Sequence, residues 1–178
     1  KDFLAAAQQQ MQQHNTGALE IQTSMNLAWE PLVDELMVFY AYDGAQGIRY
    51  LSDQDAASKP SLKKTALENL LELCRQHPTG LQALNLPKAG PVYQFKIDGH
   101  YDASILVSPQ LIASVEKSLG DTPIIFVPAR DMVLVAAKNN AQAVQTAAQL
   151  AQKAFSELPY AISPNGYSYE GASVVRCV

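Results

Sequence analysis

At 178 residues the chain is long enough to bury a real hydrophobic core and short enough to form one domain, with or without a short arm. Its composition, 48% hydrophobic and 17% charged, is globular; no apolar run reaches the roughly 18–20 residues a spanning helix needs, so an integral membrane protein is not expected. The net charge is -4 and the 13 Lys and Arg are scattered rather than gathered in a stripe, which argues against a nucleic-acid partner, because a surface that neutralises phosphates is basic.

In chain order, Asp2 can cap a helix in which Leu4, Ala7 and Met11 keep a three-to-four spacing behind a Gln-rich polar face, and residues 15–17 end it. The Gln run of residues 8–13 is a compositional bias to which no function is assigned. Leu19, Ile21, Met25 and Leu27 alternate, with Thr23 completing the period, which predicts a half-buried strand over residues 19–27 closed by Trp29 and Pro31. Residues 1–30 are thus expected to form a helix-and-strand arm ahead of a single α+β domain over residues 31–178, with Trp29 a core plug or lid. Two dense apolar runs, 36–42 and 48–51, predict a hairpin around Asp43-Gly44-Ala45-Gln46-Gly47. Ser61 is placed to cap a helix with Leu67, Leu70, Leu71 and Cys74 on one face and Lys64 and Glu68 paired outside. His77-Pro78 ends that helix, and Asn69, set between leucines, is expected to be buried or nearly so and bonded to nearby backbone.

Residues 78–91 read as a connector and 92–97 as a strand. Residues 103–107 are apolar again, and Ser108-Pro109 is a cap and first turn for a helix carrying Leu111, Ile112, Val115 and Leu119 to a stop at Gly120. Runs 123–127 and 132–136 predict a second hairpin joined by Pro128-Ala129-Arg130-Asp131, with the Pro in the turn. Asn139 or Asn140 starts a long helix with Val144, Ala147, Ala151, Ala154 and Phe155 inward, Pro159 ends it, and a last strand over 172–177 follows a turn at Pro164-Asn165-Gly166. Hairpin, helix and strand occur twice, over residues 36–97 and 124–177. The expected fold class is therefore α+β, a mixed or mostly antiparallel sheet with helices packed on it, with a repeat of that unit at the level of elements.

Four segments carry a family resemblance: residues 31–36 leading into Val38-Phe39-Tyr40-Ala41-Tyr42-Asp43, Leu67-Glu68-Asn69-Leu70, Tyr101-Asp102-Ala103-Ser104-Ile105-Leu106, and Val127-Pro128-Ala129-Arg130-Asp131. In type and order they resemble the successive signatures of an uncharacterised bacterial family, domain of unknown function 1444. The likeness spans residues 31–136 and is most distinctive in the last segment. It supports the fold class and the location of a site and supplies no chemistry.

That site is expected at two polar breaks between apolar runs, Gly99-His100-Tyr101-Asp102 and Pro128-Ala129-Arg130-Asp131, which set polar side chains at the ends of core elements. Joined at one end of the sheet, Tyr101, Asp102, Arg130 and Asp131 could bind an anion: Arg130 would clamp a carboxylate or phosphate, with Asp102 or Asp131 as base or orienter. The competing reading is structural, an internal Arg130–Asp102 salt bridge joining the breaks and turn aspartates bonding local N–H groups. No GxSxG elbow, phosphate loop, dinucleotide fingerprint or HExxH motif occurs, and no His is placed to activate Ser104. His100 and Asp102 are the one metal-like pair, too few ligands for a metal site, and His100 is expected in a surface turn; no metal and no cofactor are expected. Cys74 and Cys177 lack zinc-like spacing and read as half-buried thiols, with a long-range disulfide left open. A cytoplasmic protein is expected, while a start at Lys1 rather than Met leaves an exported mature chain or a trimmed one open. The function expected is a non-enzymatic binding or interaction module with a protein or small anionic ligand as partner. The alternative is a small hydrolase or transferase acting on an anionic substrate through Asp102, Arg130 and Asp131.

Overall fold

The computed structural model describes residues 26–45, 47–77, 80–86, 90–171 and 173–178. The expected helix over residues 2–15 and nearly all of the expected strand over 19–27 lie outside these residues. The first strands are β1 (Trp29–Val33) and β2 (Leu36–Phe39), an antiparallel hairpin turned at Asp34, whose φ of 47° is a left-handed conformation that Asp tolerates in turns. A second hairpin follows, β3 (Ala41–Gly44) with β4 (Gly47–Tyr50), and each hairpin is a two-stranded sheet of its own. The run 36–42 is therefore two strands rather than one. It breaks at Tyr40, whose N–H donates to the Ala28 carbonyl at 3.4 Å and whose carbonyl accepts from Leu51 at 2.8 Å. Trp29 and Pro31 open β1 instead of closing an earlier strand, and a register shift between Pro31 and Val33 accommodates the missing proline donor. Trp29 is 42% exposed and so is not a core plug.

Two helices come next. The short α1 (Asp53–Ala57), unforeseen in the sequence, starts with a capping box: Ser52 accepts from the Asp55 N–H while Asp55 accepts from the Ser52 N–H. The longer α2 (Leu62–Gln76) has the expected faces, with Leu70 buried, Leu67, Leu71 and Cys74 half-buried, and Lys64 paired with Glu68 at 3.8 Å, but Ser61 at its start makes no side-chain cap hydrogen bond. Asn69 is exposed, so it is neither buried nor held between leucines. Part of the expected connector is a strand, β5 (Gly80–Ala83), which pairs with β6 (Val92–Lys96); with one large apolar residue, Leu81, it carries little local signal.

A 3-10 helix (Asp102–Val107) leads into α3 (Pro109–Leu119), whose cap is the one the sequence predicts: buried Ser108 Oγ accepts from Leu111 N–H, Pro109 opens the first turn, and Gly120 closes it at φ 73°. Then come β7 (Pro123–Ala129) and β8 (Met132–Ala137), α4 (Ala141–Glu157) capped by Asn140, β9 (Gly166–Glu170) and β10 (Ser173–Arg176). Pro128 lies in β7 rather than in the turn. It sits where the register shifts between Phe126 and Ala129, a site that needs no proline donor.

β5 to β10 form one sheet in the order β10-β9-β7-β8-β6-β5, every pairing antiparallel, so the fold is α+β. Val92, Ile124, Phe126, Leu134 and Ala136 on one face pack against Ala143, Ala147 and Ala151 of α4, whose short side chains let the helix lie close. Phe95, Ile125, Val127, Val133, Val135 and Tyr167 on the other face pack against Ile105, Leu106, Leu111, Ile112, Val115 and Leu70. Covered on both faces, β7 is buried at every position, which is why its sequence is a continuous apolar run rather than an alternation. Each such side chain contributes roughly 1.5–3 kcal/mol of transfer free energy. The order hairpin, helix, strand does recur, but the copies sit differently: β3–β4 stands outside the six-stranded sheet while β7–β8 is its centre. Cys74 and Cys177 do not share a disulfide, and Cys177 is exposed rather than half-buried.

Candidate functional site

The site residues gather where β6 ends and β7 turns into β8. Antiparallel pairing of Phe95 with Val133 places the loop after β6 beside the Arg130-Asp131 turn. Asp102 is fully buried, and its Oδ1 accepts three main-chain N–H groups, from Ile97 at 2.8 Å and from Asp98 and Gly99 at 3.1 Å each. Asp98 Oδ1 in turn accepts from the His100 and Tyr101 N–H groups at 2.8 and 3.0 Å. Two aspartates thus satisfy five donors of one loop, the turn chemistry that short acidic side chains favour. Asp102 Oδ2 is buried and has no hydrogen-bond partner among the described residues.

The expected Arg130–Asp102 salt bridge does not form; among the described residues Arg130 makes no ion pair. The breaks are joined through backbone instead, Ala103 N–H donating to the Arg130 carbonyl at 3.2 Å. Arg130 N–H donates to the Tyr160 carbonyl at 3.1 Å, and the guanidinium carbon lies 4.1 Å from the centre of the Tyr160 ring. Tyr160 is 55% exposed and holds a φ of 57°, an uncommon conformation for an aromatic residue. Arg130 Nε is buried without an acceptor among the described residues. Asp131, next in the turn, is exposed.

Tyr101 connects this end to the β3–β4 hairpin, its hydroxyl donating to Asp43 Oδ2 at 2.7 Å. Burial pushes the phenol up to about 12; the Asp43 hydrogen bond and the charges of Asp43 and Asp98 add to the shift, and the Arg130 charge opposes it. Two carboxylates and one guanidinium therefore act on a single hydroxyl. The β1–β2 hairpin is tethered in the same way: Glu35 Oε1, beyond its turn residue Asp34, accepts from Ser163 Oγ at 3.3 Å and Asn165 Nδ2 at 3.1 Å. Ser163 lies on the segment that flanks the end of β7, where Ile162 and Ser163 N–H groups donate to the Pro128 and Val127 carbonyls.

The structure thus brings together Tyr101, Asp102, Arg130 and Asp131 as neighbours, with Asp102 spent on backbone and Arg130 stacked on an aromatic ring. Sequence reasoning missed Tyr160 and assigned Asp43 only to a turn; the one local signal at Tyr160 was its place behind the helix-ending Pro159. His100 is exposed, and among the described residues no three His, Cys, Asp or Glu side chains are grouped to hold a metal ion. No helix of the described residues is long and apolar enough to cross a membrane. No protein-family model, no curated protein and no solved structure matches this chain.

Proposed function

We propose that this chain is a non-enzymatic binding module that takes a small anionic ligand on Arg130. The observation that carries the reading is a half-buried Arg130 stacked on Tyr160 that has, among the described residues, no acceptor for its buried Nε and no carboxylate in ion-pair contact. An unsatisfied buried donor costs roughly 1–3 kcal/mol, and a left-handed Tyr160 adds strain of about the same order. A bound anion would offset part of these costs, and a planar fork of N–H groups suits a carboxylate or phosphate. The environment of Asp102 favours binding over the hydrolase or transferase alternative. A carboxyl fully buried and committed through Oδ1 to three N–H groups is poorly placed to exchange protons with a substrate, and among the described residues no hydrogen bond pairs Ser104 with His100. The order of the four segments supports the likeness to domain of unknown function 1444, within which Arg130 falls.

The test is a titration of isotope-labelled protein with acetate and with inorganic phosphate, read by NMR at the Arg130 side chain and the amides of residues 99–103 and 160–162. A saturable response in the wild type that vanishes in Arg130→Met, which keeps the apolar stem, is the expected result. No response to either anion, or one that survives the substitution, would sink the reading.

A further inference from the structure

A groove of about 460 Å³ runs along α4, at the end of the β7–β8 hairpin opposite the Arg130 turn. One row of α4 side chains lines it: Ala141, Val144, Gln145 and Ala148 fall at the i, i+3, i+4 and i+7 positions that share a side of a helix. Val144 and Ala148 also pack on the core, so the row is anchored to the sheet, and buried Ile124 of β7 lines the groove from within. Cys177 and Val178, just after β10, line it as well, and their segment is fixed by the Gly166 N–H, which donates to the Val178 carbonyl at 2.9 Å. Sites for small molecules fall in the range of roughly 300–1,000 Å³, mostly apolar with a few placed polar groups.

The charge of the groove is one-sided. Lys138 is the single charged side chain that lines it, and among the described residues its ammonium makes no ion pair. Its backbone is held in place, the N–H donating to the Thr122 carbonyl at 2.9 Å. Asp121, the carboxylate next to Thr122, is taken by other donors: the Thr122 N–H at 2.7 Å, Asn139 Nδ2 at 3.0 Å and the Asn139 N–H at 3.3 Å. Lys138 stands just ahead of α4, so a free cation and the positive end of the helix dipole share one end of the groove. From there the row from Ala141 to Ala148 extends for about 10 Å with Gln145 as its one polar side chain. A cationic end followed by an apolar length is complementary to an amphiphile with an anionic head. We propose that this groove binds an aliphatic carboxylate of medium chain length, its carboxylate on Lys138 and its chain along α4 from Ala141 to Ala148.

The experiment is titration of the full chain with acetate, hexanoate, octanoate and octyltrimethylammonium, each below its micelle concentration, read by NMR at the amides of residues 141–148 and 177–178. Octanoate is expected to give saturable shifts there and acetate none. Octanoate should also bind about threefold to tenfold more tightly than hexanoate, the gain from two further methylenes on a partly open wall. Octyltrimethylammonium, with the same chain and the opposite charge, should bind more weakly than octanoate. Lys138→Glu, at an exposed position, should reverse that order, and Lys138→Met, which keeps the apolar stem, should weaken octanoate alone. No shift at residues 141–148, or an order of the two amphiphiles that Lys138→Glu leaves unchanged, overturns the proposal. Octanoate binding abolished by Arg130→Met also overturns it, by placing the acid at the other end of the hairpin. A dimer in sedimentation that Gln145→Arg dissociates, at an exposed position of the groove, gives this surface to a second copy of the chain and overturns it as well.

Discussion

Ala103 and Arg130 are joined main chain to main chain, N–H to carbonyl at 3.2 Å, and this bond takes the place of a salt bridge between the polar breaks. A salt bridge makes its partners energetically dependent on each other, whereas separate roles make them additive. Asp102→Ala strands three N–H groups in a loop that buries Ile97, so we expect a loss of about 2–4 kcal/mol. Arg130→Ala removes one stacking contact and should cost about 1 kcal/mol or less. Urea denaturation of both single variants and the double variant should give losses that sum to within about 0.5 kcal/mol; a coupling above about 1 kcal/mol would restore the salt-bridge account.

Stability should fall in alkali. Burial, then the hydrogen bond to Glu30, pushes the Tyr40 phenol up to about 12, as burial and Asp43 do for Tyr101. A phenol in the unfolded chain titrates near 10, so the folded state holds these protons more tightly. The stabilisation is complete below about pH 10 and is lost as pH rises from there through about 12. Unfolding free energies measured across that window should drop, and Tyr101→Phe should make the drop shallower. An unaltered slope in that variant would mean that Tyr101 titrates alike in both states.

Two glycines should respond to alanine for different reasons. A Cβ at Gly166 would lie 2.8 Å from Phe126 Cε1 and 2.9 Å from Ile124 Cγ2, both in the packed face under α4, so Gly166→Ala should cost about 1–3 kcal/mol through overpacking. At Gly99 a Cβ meets nothing within 4 Å, but φ is 86°, so Gly99→Ala should cost only the backbone strain, about 1–2 kcal/mol. Gly99→Asn separates the two causes. Asn tolerates positive φ better than Ala and should recover part of the Gly99 loss, while at Gly166 it should be worse than Ala.

Removing the Glu35 tether should loosen one hairpin selectively. Glu35→Ala deprives Ser163 Oγ and Asn165 Nδ2 of their shared acceptor, and we expect faster amide exchange in β1 and β2 with α4 unchanged. Faster exchange throughout the chain would show that the hairpin is part of the global folding unit.

The elements that could be read from the chain are those whose signals lie within a turn or two of the residues they govern. Ser108-Pro109 and Gly120 bracket α3 because a hydroxyl cap, a preset φ and a left-handed stop act on neighbouring backbone. The alanine face of α4 and the unbroken apolar run of β7 likewise follow from burial on one side and on two sides. Tertiary structure alone decided which partner each polar group took. Asp43 meets Tyr101 across 58 positions and Glu35 meets Asn165 across 130, and a carboxylate of either kind could have satisfied a turn, a guanidinium or a hydroxyl with similar energy. The same holds for β5, a strand because β6 offers it a ladder, and for Arg130, whose sequence neighbours say nothing of the Tyr160 ring beneath it. Local chemistry sets the conformations a segment can adopt, and the packed chain selects among contacts of nearly equal strength by bringing one within reach and moving the others away.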